Sequence, residues 1–501
     1  MAADQVLAAL AAACPSVRAA RPGDAVAGVP PRFVATPATV AEASGLLRAA
    51  AAHELAVVPR GGGSKLDWGA PPRRCDLVVD TSGLDQVLEH AAGDLVARVQ
   101  AGVSLARLGE LLAGAGQQLA LDPPPRPGPP SADGALPGPA AGGTLATGAT
   151  PGPAPDGAPA SAWLGATVGG TLATGAAGPR RLRYGTPRDL LIGITVVRAD
   201  GAVAHAGGKV VKNVAGYDLG KLFTGSLGTL GLIVEAVFRL HPRPASAAYV
   251  TVDCAGPAEA YRAVAAAAGS ELAPSAIEID RPARDGPVRV AVLVEGDPDG
   301  TAERAALMRA LLGTGASTRP SPPPWWGWAM GGPDGLASGN AHPQVDGNPK
   351  ADGQPGAGSD AGQGGTLIRI GFWAAGLPQV LGMIDDAARA AGLDPAVGGS
   401  AAAGVIYAAV GPDAEPAAVT AFVSGLRAAL ARGDGDARPT SAPVPDGPPV
   451  LASAVVVHAP PAARDLMDLW GPVPALPLMR AVKDQFDPGH RMAPGRFAGG
   501  I

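Results

Sequence analysis

The chain has 501 residues, 47% of them hydrophobic and 17% charged, with a formal net charge of −5. That is enough apolar material for two or three domains with their own cores, and too much for a chain disordered throughout. Lys and Arg are scattered rather than striped, which argues against nucleic acid or an anionic membrane as the main partner. Three distant cysteines without a CxxC pair argue against a disulfide framework, a zinc site or a protein-ligated iron–sulfur cluster.

Residues 1–25 read as a short amphipathic helix. The Ala-rich run ending at Cys14 lacks the positive leader that export requires, and Asp4 stands in its place. No apolar run reaches the roughly 18 residues of a membrane span, and the isolated cysteines suit a reducing, cytoplasmic setting. TPATVAEASGLLRAAAAHE (36–54) predicts a helix capped by Thr36, with Val40, Leu46 and Leu47 on one face. AVVP (56–59), DLVVDTSGL (76–84) and LVARVQAG (95–102) predict strands, and SLARLGELLAGAG (104–116) a helix stopped by glycine.

From Asp122 to about Ser161 the chain is mostly Pro, Gly, Ala and Ser, too poor in large apolar side chains to offset the entropy of ordering. Residues 124–162 are therefore expected to be a disordered insertion. Inside it GGTLATGA (142–149) recurs letter for letter at 169–176, a local duplication in which one copy is expected to do the structural work. Order returns with strand LLIGITVVRADG, a DG turn, AVAHAGG, the helix-like YDLGKLFTG and strand GLIVEAVFRL, ending at a boundary marked by Pro242 and Pro244.

Residues 245–456 read as a second domain of two α+β units sharing one antiparallel sheet with helices on one face. It is interrupted by a second insertion, expected to be disordered, at 331–365. Residues 457–501 return to helix and turn. Trp325, Trp326 and Trp328 are expected to cover the core of this second domain.

Three segments are rich in glycine where a strand ends or begins. In PRGGGSKLDWG (59–69) three glycines let the backbone bend sharply and leave N–H groups free for an anion. The spacing is neither that of a dinucleotide fingerprint nor that of a phosphate-binding P-loop. GATVGGTLATGAAGPRRLRYG (165–185) permits close approach to a ligand and offers the hydroxyls of Thr167, Thr171 and Thr174. Val168 and Leu172, four apart, suit a helical turn whose N-terminus faces an anion. GSLGTLGLIVE (225–235) places a glycine-rich turn ahead of a buried strand.

In this order and spacing the three segments resemble the FAD-binding domain of the para-cresol methylhydroxylase/vanillyl-alcohol oxidase superfamily, over roughly 26–244 without the insertion. The resemblance implies an α+β fold: a two-subdomain FAD-binding domain followed by an α+β cap domain with an antiparallel sheet. It implies that Pro59, Arg60, Gly61, Gly62, Gly63 and Ser64, together with Ala166, Thr167, Val168, Gly169, Gly170, Thr171, Thr174 and Gly175, cradle the FAD pyrophosphate. Gly225, Ser226, Gly228 and Ile233 would line the rest of the cofactor. Some members carry a covalent flavin on a His at the end of the first loop; Ser64 stands there, which implies non-covalent FAD.

Within the superfamily these stretches, with KNVAGYDLGKLFTGSLGTLG (212–231) and the closing FDPGHRMAPGRF (486–497), resemble the GlcE-type subunit family of glycolate oxidases. The implied protein is an FAD-dependent oxidoreductase subunit, active in a complex that oxidises glycolate or D-lactate to the 2-oxo acid, its flavin either taking hydride from substrate or, as the favoured reading, relaying electrons between the catalytic flavin and the iron–sulfur subunit. Its implied partners are a catalytic flavoprotein and an iron–sulfur subunit, and it meets the inner face of the cell membrane only through them. The family's closing N-P-G-R reads Ala493-Pro494-Gly495-Arg496, which leaves any contact from the missing amide open.

Catalytic relatives carry an H-x-G-D-G-N-x-H-like motif in the cap. The matching stretch, AAAGVIYAAVG (401–411), has no charged side chain and offers only Tyr407, so no catalytic residue is assigned. HPQVDGN (342–348) lies in the second insertion, and no two histidines stand at metal-ligand spacing, so no metal is expected. His205 and His241 read as a strand residue and a strand-end residue, and Arg180, Arg181 and Arg183 as a turn that meets flavin phosphate, a partner's acidic face or solvent. The alternatives are a stand-alone FAD-dependent oxidoreductase of another alcohol or hydroxy acid, and a structural subunit without cofactor.

Overall fold

A computed structural model describes residues 3–123, 165–208, 218–327, 365–432 and 452–501. The first insertion with its GGTLATGA copy, the second insertion up to 364, and Trp328 lie outside these residues.

The chain opens with helix α1 (Ala3–Ala13) and strands β1 (Val17–Ala19) and β2 (Phe33–Ala35), then helix α2 (Val40–Ala52) and strands β3 (Val57–Arg60) and β4 (Leu77–Asp80). The sheet order is β1-β2-β4-β3, with β4 parallel to both β2 and β3. Parallel pairing needs a crossover, and α2 supplies it, burying Leu46 and Leu47 with Leu10 of α1 and Leu77 and Val79 of the sheet. The cap of α2 is Thr39, whose hydroxyl accepts from Glu42 N, rather than Thr36.

A second sheet holds β5 (Val87–Ala91), β6 (Val96–Gln100), β8 (Leu191–Val197), β9 (Val203–Gly207) and β10 (Leu232–Arg239), in the order β5-β6-β10-β8-β9 and antiparallel throughout. Short β7 (Gln117–Gln118) pairs with β11 (His241–Pro242), the place of His241. Helices α3 (Leu105–Ala113) and α4 (Val168–Thr174) pack on this sheet through Leu108, Leu112, Val168 and Leu172.

The third sheet contains β12 (Ser246–Cys254), β13 (Ala276–Arg281), β14 (Val288–Gly296), β15 (Ser317–Arg319), β16 (Thr366–Phe372), β17 (Ala396–Ser400), β18 (Val405–Val410) and β19 (Ala452–His458). Its order is β15-β12-β14-β13-β17-β18-β16-β19, all antiparallel. Helices Pro257–Ala268, Pro298–Leu312, Leu377–Ala391 and Pro416–Arg432 cover one face, through Val264, Met308, Leu381 and Phe422 against Ile277, Val290, Ile368 and Ile406. Side chains alternate along a strand, so Leu367, Val405, Tyr407 and Ala409 point the other way and pack on Trp68 and Ala176 of the first half. Trp326 meets the Tyr249 ring edge-on at 5.0 Å, and the Arg289 guanidinium lies 5.5 Å from the Trp325 ring.

Helix Leu476–Phe486 and the turns after it return to the first half. Lys483 Nζ, 1% exposed, donates to Thr229 O (2.7 Å), Met492 O (2.9 Å) and Asp487 Oδ2 (2.7 Å), while Ala493 N donates to Val57 O (2.7 Å). The C-terminal turns are thereby sewn between β3 and the third glycine segment.

Candidate functional site

A cleft opens where β3 ends. Its floor is the contact between two glycine-rich loops. A side chain on Gly62 would overlap the Gly165 carbonyl, and one on Gly61 would overlap the Thr167 hydroxyl, so the loops touch only because neither residue has a Cβ.

Fourteen of the residues expected at the cofactor line this cleft: Pro59 through Ser64, Ala166, Thr167, Gly169, Gly170, Thr171, Thr174, Gly228 and Ile233. The other four are not among the lining residues. Val168 is buried as the anchor of α4, Gly175 caps that helix at φ 62°, Gly225 lies against Gly175, and the Ser226 hydroxyl donates to Phe223 O at 2.8 Å. They form the frame behind the cleft. The later copy of GGTLATGA is thus at the cleft; the earlier one lies outside the described residues.

The side chains of the lining residues divide by whether they are already engaged. Arg60 donates to Asp80 (3.1 and 2.9 Å) and to Asp24 (3.1 Å), so it meets the cleft with backbone and stem. The Arg18 hydrogen bond, assisted by Arg60, holds the Asp24 carboxyl well below its usual range. The Thr167 hydroxyl caps α4 by accepting from Gly170 N (3.2 Å), and the Thr174 hydroxyl donates to Gly170 O (2.8 Å). Thr171 alone of the three threonines keeps a buried, unpartnered Oγ1.

Arg496 was not among the expected residues. It is 3% exposed and donates through Nη2 to Leu66 O (2.8 Å) and Trp68 O (2.7 Å), bracing the first glycine loop, while Nε and Nη1 have no partner. Burial pushes its pKa down to about 10. Its signal in the sequence was the closing P-G-R turn. Ala493, where the family has Asn, holds φ 41°, a left-handed conformation that Asn tolerates better than Ala. Lys65 also lines the cleft, its ammonium 5.6 Å from the Trp68 ring, and burial pushes its pKa down to about 8. Arg180, Arg181 and Arg183 are not among the lining residues. Arg180 is buried against Gln118 (2.7 Å), Arg181 donates to Gly178 O (3.0 Å), and Arg183 reaches Ala273 O (3.3 Å).

Among the described residues no group of His, Cys, Asp and Glu could hold a metal, and no helix is long and apolar enough to cross a membrane. The cleft instead offers donors and close-packed backbone. The unpartnered Arg496 nitrogens, the Lys65 ammonium and the Thr171 hydroxyl, beside a wall without side chains, suit a long, anionic, carbonyl-rich ligand such as FAD.

Residues 31–150 and 157–207 match the FAD binding domain family. The chain is 32% identical over 230 residues to glycolate oxidase subunit GlcD of Bacillus subtilis, covering 45% of this chain and 41% of that protein. It is 32% identical over 210 residues to a D-lactate dehydrogenase of Archaeoglobus fulgidus, covering 42% and 39%. The chain thus spans under half the length of these curated relatives. Among solved structures, p-cresol methylhydroxylase with substrate bound superposes with a TM-score of 0.66 at 15% identity, over 98% of this chain and 96% of that one. Chitooligosaccharide oxidase superposes with a TM-score of 0.57 at 17% identity, over 97% of each. Within 31–207 the chain thus resembles an FAD binding domain, and its fold is that of p-cresol methylhydroxylase.

Proposed function

We propose that the protein is an FAD-dependent oxidoreductase of small 2-hydroxy acids, glycolate or D-lactate, working as the GlcE-type subunit of a glycolate oxidase complex. The observation that carries this reading is the cleft itself, assembled from the three glycine segments and completed by the unpartnered donors of Thr171 and Arg496. The related glycolate oxidase subunit and D-lactate dehydrogenase support the substrate class. When bound, FAD supplies two-electron acceptance from the substrate. The chain's own residues hold it: the Gly61–Gly63 and Gly169–Gly170 backbones give close approach, and Arg496 and Lys65 give positive charge. The C-terminal segment, locked by Lys483, keeps Arg496 in place. Electrons pass on to an iron–sulfur partner beside a second flavoprotein, in the cytoplasm or at the inner face of the membrane.

Purified chain should carry flavin absorbance, and acid should release it intact, because Ser64 offers no covalent link. Co-expression with a second flavoprotein and an iron–sulfur protein should give one complex that oxidises glycolate or D-lactate with a dye as acceptor. A purified chain that takes up no flavin would support the structural-subunit reading instead, and full turnover without partners would support a stand-alone enzyme.

A further inference from the structure

The stretch 401–411 brings only Tyr407 to the cap face, but strand pairing brings residues from elsewhere beside it. Along β19, Ala454 and Val456 point into the helix-covered core, and strict alternation would send His458 after them. The ladder slips here: Leu367 pairs with His458 while Ile368 pairs with Val456. The extra residue turns His458 to the face of Leu367, which packs on Trp68. There His458 Nδ1 lies 2.9 Å from Asp67 Oδ2, without an aligned hydrogen bond. Asp67 sits between Leu66, which lines the cleft, and Trp68, and Gly69 N donates to Val457 O at 3.3 Å. The pair therefore joins the first glycine loop to the cap.

Arg369 stands on the same face of the neighbouring strand, opposite Tyr407 on β18 and Val455 on β19. It is exposed between the fully buried Ile368 and Ile370, and among the described residues no hydrogen bond or ion pair engages its guanidinium. Arg369 lies two residues from Leu367, the partner of His458, a separation of about 7 Å along the strand. A guanidinium with no partner among the described residues and an imidazole beside a carboxylate thus share this face of the sheet.

We infer that this face is a two-point site for a small hydroxy acid: Arg369 takes the carboxylate, and His458, oriented by Asp67, takes the hydroxyl proton. This rests on the function proposed above. The hydroxyl proton goes to His458 Nε2, and the C–H hydrogen leaves with its electron pair to the FAD, so the hydroxy acid becomes the 2-oxo acid as the flavin gains two electrons. The reducing step then belongs to this chain, and the partners serve to remove the electrons.

The test uses the FAD-loaded chain and oxalate, a dicarboxylate that cannot be oxidised this way, with binding measured by calorimetry. Arg369→Met should weaken oxalate binding by about tenfold or more, with Arg369→Lys partly restoring it. His458→Ala should bind oxalate nearly as wild type but slow anaerobic flavin reduction by glycolate or D-lactate by about 10²–10⁴-fold, with added imidazole recovering part of the loss. Flavin content and circular dichroism equal to wild type show that the variants fold. Unchanged oxalate binding in Arg369→Met, or wild-type reduction in His458→Ala, overturns the site. If the loaded chain binds no oxalate and stays oxidised while the assembled complex turns over, the site is wrong and the function stands. If the complex oxidises no hydroxy acid yet Arg369→Met still loses oxalate, the function is wrong and the carboxylate point stands.

Discussion

The cleft and the cap face are built from opposite materials. At the cleft the working surface is largely backbone, and the residues that matter are contiguous: 59–66, 165–174 and 227–233 supply nearly all of it. On the cap face the backbone is tied up in the ladder, and Arg369, Tyr407 and His458 reach one surface from three strands across 90 residues. A ligand held by loops leaves its trace in runs of letters. A ligand held by side chains on paired strands leaves it only in the register.

The contrast is sharpest at Gly62. Any side chain there would meet the Gly165 carbonyl, a backbone atom that moves only if the loops part. Gly62→Ala should therefore cost roughly 3 kcal/mol or more of stability and at least tenfold in bound FAD. Thermal melting and the ratio of flavin to protein absorbance would read both. Normal flavin content in this variant would mean that the two loops do not form the wall together.

Next in size is the buried pair that anchors the C-terminal segment. Lys483→Met strands the Asp487 carboxylate, which is fully buried and also accepts from Met492 N at 2.7 Å. The expected loss is about 3–5 kcal/mol by chemical denaturation, with Lys483→Met/Asp487→Asn regaining part of it because no charge is left alone. Because this segment carries Arg496, flavin should be lost together with stability. Arg496→Met separates the two effects. It should keep the fold while weakening FAD by about ten- to a hundredfold, as two unpartnered cationic donors leave the cleft.

Much of this was legible in the sequence. The order of strands and helices, the antiparallel sheet with helices on one face, and the cleft loops follow from period-2 and period-3.6 patterns and from glycine placement. What was missed has a shared cause. Strands β5 and β17 are short and lack a run of large apolar residues; β17 is Ala-Val-Gly-Gly-Ser. Arg496 lies 430 residues from Leu66, whose carbonyl it holds. His458 comes beside Asp67 only because of a slip in the ladder with Leu367, and nothing in Val-Val-Val-His marks that slip. Val168, Gly175, Gly225 and Ser226 belong to the glycine motifs, but they are spent on supporting the loops rather than on the ligand.

Deeper on the cap face, Glu278 carries a pH signature. It is 2% exposed on β13, accepts the Ser400 hydroxyl, and burial pushes its carboxyl up to about 8 from an ordinary value of 4.5. Arg181 lowers this value and Asp122 raises it, both less than burial does. Between these two pH values the folded chain keeps a proton that the unfolded chain has lost, so the contribution of Glu278 to stability is fully present below pH 4.5 and is lost as pH rises through 8. Glu278→Gln cannot ionise, so it should remove this slope. Its melting temperature should match wild type near pH 4.5 and exceed it at pH 8, by the equivalent of about 1–3 kcal/mol. Parallel pH curves for the two proteins would show that the carboxyl is ionised in the folded chain.

The smallest effect is expected where a glycine has neither a neighbour nor an unusual conformation, and it completes the comparison with Gly62. Gly382 lies in the middle of helix Leu377–Ala391, with helical backbone and nothing within 4 Å of where a Cβ would stand. Its hydrogen is therefore not required by packing, and glycine there only adds freedom to the unfolded chain. Gly382→Ala should stabilise the protein by about 0.5–1 kcal/mol, seen as a small rise in melting temperature. Flavin content should stay unchanged, since this helix lies on the far side of the cap sheet from the cleft. The same substitution at Gly62 and at Gly382 would then differ in sign, because one glycine makes room for another backbone and the other makes room for nothing. A loss of flavin in Gly382→Ala would mean that the cap helices govern the cleft through the sheet.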